Sequence, residues 1–382
     1  MDNKGAAIYI NKVGLVSPAG NSPEQALAAV PAAPLPLEFP GQKALKTAGF
    51  RCDLAEAKVL LGPMKIRRLG RLQTLCLLAA KKAGLPPEAA AGDTGVYLGT
   101  GLGSLNETTA FIENMVLNGE ELVKPANFIN SVHNAAASSL ALEFSLKGEN
   151  LTVAHREVSF DAALGHAVSA LRNGRAARAV VCGADELNYY HALAGEAKGS
   201  WKTAAEPLRP LASGNSRGTY PGEGAAVCLL SAVNTEGTLA CVLGARTARY
   251  RHDAHSYMDP AAAADFLCGL LDSCGVKPSE IDLLLSGANG DSALDAVYLR
   301  AAEEFGRRAD RLIPHTGYKQ LCGDYKTASA FGFALGALAL NSGALPAGLC
   351  APGLPPGARI RTVLSYTVSR SGAHSACLLK SL

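Results

Sequence analysis

The sequence LTVAHREVSFDAALGHAVSALRNG, residues 151–174, predicts a strand that runs directly into a helix. Residues 151–154 have a strand pattern, apolar residues then recur at helical spacing, and the Asn-Gly pair 173–174 ends the helix. The turn between strand and helix lies at the helix N-terminus, where free N–H groups and the helix dipole favour negative charge. Many enzymes place a nucleophile at such a turn. This turn holds four polar side chains and no cysteine: His155, Arg156, Glu157 and Ser159.

Strands and helices alternate along the rest of the chain, which indicates a layered α/β fold. Several strand candidates are continuous apolar runs, a pattern typical of strands covered on both faces. The layout recurs in shorter form in the second part of the chain, so the sequence predicts two halves, residues 1–235 and 236–382. Strands are predicted at residues 6–16, 94–100, 151–154, 179–183, within 217–231, and at 239–250, 281–286, 362–366 and 375–379, and helices at 64–83, within 128–142, and at 261–274, 294–305 and 323–340.

The composition is that of a globular protein. The 382 residues are 48% hydrophobic and 18% charged, and the net charge of +3 is too small to indicate a nucleic-acid partner. The N-terminal residues lack the apolar core of a signal peptide, and no stretch has the apolar length of a transmembrane helix. The ten cysteines include no Cys-x-x-Cys pair. We therefore expect a cytoplasmic protein with reduced thiols, no metal site, no cofactor and no membrane partner.

Two further motifs each have a plain and a functional interpretation. The glycine-rich segment 101–104 follows a predicted strand and resembles half of a dinucleotide-binding fingerprint. Because the third glycine and a clear acidic partner are absent, a backbone turn packed against the core is the better interpretation. In predicted helix 64–83, arginines lie off the apolar face. The pattern alone favours a solvated helix face, and the alternative is a docking patch for an acidic partner.

Several segments, in order along nearly the whole chain, resemble the β-ketoacyl-(acyl carrier protein) synthases. The resemblance implies the thiolase fold, an α/β architecture with layers in the order α-β-α-β-α built from two pseudo-repeated halves. The segments are NKVGLVSPAGNS (11–22), GVYLGTGLGS (95–104), LKGENLTV (146–153), GRAARAVVCGADE (174–186), RGTYPGEGAAVCLLS (217–231) and TGYKQLCGDYKTASAFG (316–332).

The resemblance also implies where the catalytic groups of an active synthase would lie. Such an enzyme uses a cysteine at the strand–helix turn and two histidines that assist decarboxylation and stabilise the oxyanion. In this sequence the cysteine position falls on Glu157, the histidine positions fall on Gly287 and Asp324, and the family lysine is retained as Lys319. No cysteine lies between Cys76 and Cys182, so a shifted alignment cannot supply the nucleophile. All three catalytic residue types are therefore expected to be missing.

Two other segments bear on partners and on the acyl tunnel. Four basic residues fall where the family docks acidic acyl carrier protein: Lys65, Arg67, Arg68 and Arg71. The segment YTVSRSGAH, residues 366–374, stands where active synthases carry a glycine-rich loop with a gating phenylalanine. Arg370 in this segment would make the pocket more polar than an acyl tunnel. The family further implies a dimer, either with a second copy or with an active synthase.

Three functions follow from this resemblance, and whether the chain catalyses a reaction by itself stays open among them. The first is a chain-length-factor-like subunit that pairs with an active synthase in fatty-acid or polyketide biosynthesis, with segments similar to those of aryl-polyene pathways. The second is a stand-alone decarboxylase or transferase of acyl or malonyl thioesters in which Glu157 acts as a base or electrostatic group near Lys319. The third is a homodimer that binds carrier protein without turnover.

Overall fold

A computed structural model describes residues 7–85, 93–120, 124–203, 206–249 and 259–382, and within them the chain forms twelve strands and twelve α-helices. The strands are β1 (Ile8–Val16), β2 (Leu35–Pro36), β3 (Ala48–Gly49), β4 (Thr94–Gly99), β5 (Asn150–Val153), β6 (Arg178–Asp185), β7 (Gly224–Ser231), β8 (Ala240–Arg249), β9 (Leu283–Ser286), β10 (His315–Gly317), β11 (Thr362–Val368) and β12 (Ala373–Lys380). The helices are α1 (Pro23–Ala28), α2 (Ala57–Leu61), α3 (Pro63–Ile66), α4 (Arg71–Lys82), α5 (Leu105–Asn118), α6 (Pro125–Ser131), α7 (Ala135–Glu143), α8 (Ser159–Arg172), α9 (Tyr189–Ala197), α10 (Pro260–Cys274), α11 (Ser292–Ala309) and α12 (Ala328–Ser342).

Ten of the strands form one mixed sheet in the order β10-β9-β11-β12-β8-β1-β7-β6-β4-β5. Both halves of the sheet repeat one pattern. The three strands at each outer edge are parallel, and the two strands that follow toward the centre pair antiparallel. The two halves meet where β1 and β8 pair antiparallel, with Ile8 opposite Val242 and Ile10 opposite Ala240. The repeated layout predicted from the sequence is therefore present in the fold.

Helices separate and cover the two halves of the sheet. Helices α8 and α12 lie between them in one buried apolar cluster, where the rings of Phe160 and Phe333 pack 5.5 Å apart. Helices α4 and α7 cover the outer face of the first half, and α10 and α11 cover that of the second. A helix packed on both sides must be apolar all round, which explains the alanine- and leucine-rich sequence of α12. The predicted α-β-α-β-α order is confirmed.

The structure corrects several predicted elements. The predicted helix 64–83 divides into α3 and α4, because Gly70 caps α4 in an extended conformation and donates its N–H to Gln73 Oε1 at 2.7 Å. The predicted helix 323–340 begins only at Ala328. Before it, Asp324 donates its N–H to Tyr220 O at 2.8 Å, which holds residues 323–327 in a turn. Strand β10, with three residues, was not predicted, since so short a run has no period.

The connection between β7 and β8 contains the predicted boundary between residues 235 and 236. The division of the chain at this boundary stays a prediction. Residues 6 and 250, which we included in predicted strands, lie outside the described residues. In the parts of the chain that the structure describes, no helix combines the length and apolar character needed to cross a bilayer.

Candidate active site

A polar cavity of about 380 Å³ opens beside the turn between β5 and α8. It brings together segments that are far apart in the sequence: this turn, the turn that precedes α12, the β11–β12 connection and the N-terminal end of α11. Three of the predicted site residues, Glu157, Lys319 and Asp324, line it. Charged and hydrogen-bonding side chains form much of the rest of the wall: His191, Lys198, Trp201, Arg217, Asn289, Asp291, Tyr298, Lys326 and Arg370.

The turn that carries Glu157 has a strained backbone. Arg156, the residue before it, has φ +50°, a left-handed conformation that costs a non-glycine residue roughly 1–2 kcal/mol. Ser159 holds this conformation, because its hydroxyl accepts a hydrogen bond from His155 N and donates one to Arg156 O, both at 2.7 Å. The chain therefore enters α8 through a fixed 3₁₀ turn, Arg156–Val158, which positions the Glu157 side chain at the cavity.

The glycine-rich turn after β4 packs against the turn that precedes α12, whose residue Lys326 lines the cavity. The buried Asp185 carboxylate accepts hydrogen bonds from Gly101 N at 2.9 Å and Leu102 N at 3.0 Å, and its other oxygen accepts one from Thr327 N at 2.8 Å. A Cβ at Gly101 would lie 2.1 Å from Lys326 Cβ, so only glycine allows this approach. The carboxylate occupies the backbone N–H groups that would otherwise bind a phosphate. The interpretation as a structural turn is confirmed.

Both carboxylate oxygens of Glu157 are engaged. Lys326 Nζ lies 2.6 Å from Oε1, and the Ser369 hydroxyl donates to Oε2 at 2.5 Å. Burial would raise the pKa of Glu157, but the charge of Lys326 and these hydrogen bonds outweigh it and hold the pKa below its usual value. Burial would lower the pKa of Lys326, yet the neighbouring carboxylates raise it. Glu157, the residue predicted to stand at the family cysteine position, is thus an ionised carboxylate held in an ion pair.

A second ion pair lies beside the first. Lys319 Nζ contacts Asp324 Oδ1 at 2.5 Å, and Asn289 Nδ2 donates to Asp324 Oδ2 at 3.0 Å. Burial opposes ionisation of Asp324, but Lys319 and Lys326 hold its pKa below the usual value. An ionised carboxylate only accepts hydrogen bonds, so it offers no donor to a developing oxyanion. We expected Lys319 near Glu157, and both line the cavity, but the hydrogen-bond partner of Glu157 is Lys326, and Lys319 pairs with Asp324.

Of the four predicted catalytic positions, only Gly287 does not line the cavity. A Cβ there would lie 2.7 Å from the hydroxyl oxygen of Tyr298, a buried α11 residue whose ring does line the cavity. The Tyr298 hydroxyl accepts a hydrogen bond from Val368 N at 3.0 Å, which fixes its position. The space next to Gly287 is therefore filled by tyrosine, and the glycine is needed for this close approach.

The cavity mouth is basic. Arg217 and Arg370 each lie 3.7 Å from the same oxygen of Asp291, and more than half of each side chain is exposed. Our expectation that Arg370 makes the pocket polar agrees with its place in the wall. His191 also lines the cavity from α9, where burial and the charge of Lys326 lower its pKa. Among the described residues, no group of three His, Cys, Asp or Glu side chains is arranged to hold a metal ion.

Sequence reasoning missed the residues that complete this site. Lys326 lies in segment 316–332, for which the sequence predicted a continuous helix. In the structure the helix begins only at Ala328, and the turn before it brings the Lys326 side chain to Glu157. Ser369 lies in segment 366–374, and no role was predicted for it. Asn289 and Tyr298 lie in unremarkable sequence around the start of α11.

The four basic residues predicted to dock a carrier protein have different environments. Arg71 points inward, where its guanidinium pairs with the fully buried Glu223 and donates to Cys52 O at 3.2 Å. Lys65 pairs with Glu143 on α7. Arg67 and Arg68 are exposed, and no ion pair holds either of them within the described residues. Arg71 is thus committed to an internal ion pair and is not a free surface cation, while docking by the other three stays a prediction.

Comparison with known proteins gives the family. The model of the β-ketoacyl synthase N-terminal domain matches residues 23–235. A putative polyketide β-ketoacyl synthase 2 from Streptomyces cyaneus is 27% identical over 263 residues, which are 64% of this chain and 62% of that protein. This chain therefore spans less than two thirds of that relative's length.

Two solved structures have the same fold. The ishigamide ketosynthase/chain length factor superposes with a TM-score of 0.85 at 18% identity, over 99% of this chain and all of the other. AntDE:AntF, a type II polyketide synthase acyl-carrier protein in complex with its ketosynthase bound to the hexaketide, gives 0.79 at 16% identity, over 99% of this chain and 100% of that one. With more than half of its residues matched by the family model, the chain belongs to the β-ketoacyl synthase family.

Proposed function

We propose that this chain is a non-condensing, chain-length-factor-like subunit that pairs with an active β-ketoacyl synthase in the cytoplasm. It would serve acyl chains held on acyl carrier protein in polyketide synthesis, with aryl-polyene-type products as the narrower candidate. The observation that carries the proposal is that both carboxylate oxygens of Glu157 are engaged, one by Lys326 and the other by Ser369.

The chemistry of condensation explains why this observation matters. The first step needs a thiolate that attacks an acyl thioester and forms a new thioester of similar energy. A carboxylate in the same place would have to form a mixed anhydride, which is higher in energy than a thioester. The ion pair with Lys326 further weakens the Glu157 carboxylate as a nucleophile. The second step needs donors for the enolate or oxyanion. The predicted histidine positions hold Gly287, which has no side-chain donor, and Asp324, whose carboxylate only accepts.

The surface next to β5 supports pairing with another subunit. Within the described residues, β5 is hydrogen-bonded to β4 alone and forms one edge of the sheet. An open edge beside apolar surface is a ready template for a partner. Helix α7 packs against β5 and carries Leu142, which is 82% exposed. Further large apolar side chains are exposed on α5, on α6, which packs against both α5 and α7, and on the α6–α7 connection: Ile112, Val116, Leu117, Phe128, Ile129 and Val132.

The names of similar proteins support the polyketide assignment. The Streptomyces cyaneus relative is described as a polyketide β-ketoacyl synthase, and one structural neighbour is described as a ketosynthase/chain length factor. Another neighbour is described as a ketosynthase in complex with its acyl-carrier protein. These likenesses favour a carrier-protein partner and a paired subunit over an isolated enzyme.

The geometry weighs against a stand-alone decarboxylase that uses Glu157 as a base. An effective base has a pKa near the working pH, whereas the pKa of Glu157 is held below its usual value and the charge is already neutralised by Lys326. A carrier-binding homodimer without turnover remains the alternative that shares most features with our proposal. The two differ in the partner that covers the β5 edge.

The test begins with the isolated chain. It is incubated with acyl carrier and malonyl carrier, with an active β-ketoacyl synthase as the positive control, and followed by intact-protein mass spectrometry and product analysis. We expect neither an acyl adduct nor a condensation product. Robust condensation by the isolated chain would overturn the proposal.

Pairing is tested by native mass spectrometry after co-expression with an active β-ketoacyl synthase from the same organism. We expect a one-to-one heterodimer that Leu142→Glu weakens. Val30→Glu is the matched control, because Val30 is similarly exposed but lies outside the apolar surface near β5. A homodimer that persists in the presence of the synthase would instead favour the carrier-binding alternative.

A further inference from the structure

A second and larger cavity lies in the other half of the fold. Its volume is about 1170 Å³, above the roughly 300–1000 Å³ of ordinary small-molecule sites. Helix α11, the segment 207–212 and the residues on either side of β10 form its walls. None of the residues that line it also lines the polar cavity at Glu157. It is therefore a separate site at the β10 edge of the sheet, opposite the β5 edge.

The walls are mainly apolar and partly open to solvent. Leu208 and Ile313 are buried beneath the surface, while Leu299 and Leu312 are 45% and 75% exposed and also line the cavity. Removing large apolar side chains from water is favourable. An apolar molecule that covers the exposed walls of this cavity would therefore be bound. An elongated alkyl group suits walls of this kind better than a polar metabolite.

One wall is held in a fixed conformation. Leu211 has φ +65°, a left-handed conformation that is uncommon for leucine. The buried carboxylate of Asp295 on α11 accepts the N–H of Leu211 at 2.7 Å and, through its other oxygen, the N–H groups of Asn289 at 3.0 Å and Gly290 at 3.1 Å. The segment is thus anchored to α11, and the cavity exists before any ligand arrives.

A basic group provides the polar contact for a ligand. Three arginines, Arg209, Arg307 and Arg311, line the cavity together with two acidic residues, Glu303 and Asp310. Arg307 is paired with Glu304, and Arg311 donates to Ile281 O at 2.6 Å. The guanidinium of Arg209 makes no hydrogen bond or ion pair with any described residue. Guanidinium groups bind carboxylates through two parallel hydrogen bonds.

We propose that this cavity binds an alkyl carboxylate, with the hydrocarbon chain along the leucine-lined walls and the carboxylate at Arg209. The inference is independent of the function proposed for the polar cavity, because it uses different residues and a different part of the fold. Medium-chain fatty acids are suitable probes. Each methylene that enters the cavity should tighten binding about three- to fourfold, the value expected for transfer of one CH₂ from water.

Cys350 offers a direct readout. It lines the cavity and is exposed, whereas Cys268 and Cys274 are half-buried and the remaining seven cysteines are buried. The full-length protein is treated with a limiting thiol reagent at increasing concentrations of hexanoate, octanoate or decanoate, and modification of Cys350 is followed by peptide mass spectrometry. We expect decanoate to protect Cys350 at concentrations about tenfold or more below those needed for octanoate. Isothermal titration calorimetry gives the same affinities without a label.

Three variants separate a specific site from general binding of fatty acids. Arg209→Gln should weaken decanoate binding about tenfold and leave decanol binding unchanged, because only the acid uses the guanidinium. Arg300→Gln, on the solvent side of α11, is the matched control and should change neither. Ala302→Trp, which fills the cavity from α11, should abolish binding of both.

If Ala302→Trp fails to fold, the exposed Arg209→Gln variant still decides the question. The proposal is overturned if decanoate neither binds nor protects Cys350. It is equally overturned if hexanoate and decanoate bind alike, or if Arg209→Gln and Arg300→Gln change decanoate binding to the same extent.

Discussion

Removing the lysine that pairs with Glu157 is expected to destabilise the protein in a pH-dependent way. In Lys326→Met the carboxylate keeps the hydrogen bond from Ser369 but loses the ion pair, whose side chains are 31% and 22% exposed. Breaking a fully buried pair costs about 3–5 kcal/mol, so partial exposure and the remaining hydrogen bond reduce the expected cost to about 2 kcal/mol at pH 7.5. With an unfolding entropy of about 2.1 cal/mol/K per residue, this cost lowers the Tm by about 2–3 °C.

The pH dependence follows from the sign of each pKa shift. In the wild-type protein the pKa of Glu157 is lowered, so its stabilising contribution is present above the unfolded-state pKa and is lost as the pH falls through the folded-state pKa. In Lys326→Met burial becomes dominant and raises that pKa, because no neighbouring cation now opposes it. The protonated form is then favoured in the folded state. The destabilisation relative to wild type should therefore shrink between pH 7.5 and pH 5.

Differential scanning calorimetry at the two pH values measures this effect. The double variant Lys326→Met/Glu157→Gln should recover most of the lost stability, since the neutral amide needs no cation. Lys198→Met is the matched control, because Lys198 lines the same cavity but is exposed, and its removal should change the Tm little. Equal destabilisation at both pH values, together with no recovery in the double variant, would refute the electrostatic argument.

Three further predictions concern the other residues of the site and the basic surface. Arg71→Met should cost about 3–5 kcal/mol because it leaves a buried carboxylate unpaired, whereas Arg68→Met should change stability by less than about 0.5 kcal/mol and reduce carrier-protein affinity, as measured by calorimetry and fluorescence anisotropy. Glu157→Cys should be alkylated by iodoacetamide yet give no condensation product, because Gly287 and Asp324, at the predicted histidine positions, carry no imidazole; product formation would contradict this. Gly287→Ala should cost about 1–3 kcal/mol in chemical denaturation, since the added Cβ lies 2.7 Å from the Tyr298 hydroxyl oxygen, which the hydrogen bond from Val368 N holds in place.

The positions of the site residues could be predicted from the sequence more readily than their hydrogen-bond and ion-pair partners. The strand–helix turn with Glu157 and the segment with Lys319 and Asp324 were identified from the sequence, because their spacing follows a family pattern. The partners of these residues were not predicted. Lys319 was expected to lie near Glu157, and both line the polar cavity, but Lys319 pairs with Asp324. The interpretation of Arg71 as a surface cation was wrong because a helix pattern does not reveal that Glu223 lies buried across from it.

The sequence by itself determined the alternation of strands and helices, the repetition of that layout in two halves and the absence of a cysteine at the strand–helix turn. These are local properties, set by apolar period, turn residues and the identity of single positions. Only the tertiary structure decided what surrounds Glu157. Lys326 and Ser369 lie 169 and 212 residues away along the chain, and the packing of the two halves around α8 and α12 brings them to one carboxylate. Contacts over such separations depend on which elements pack together, and no periodicity in the sequence encodes them.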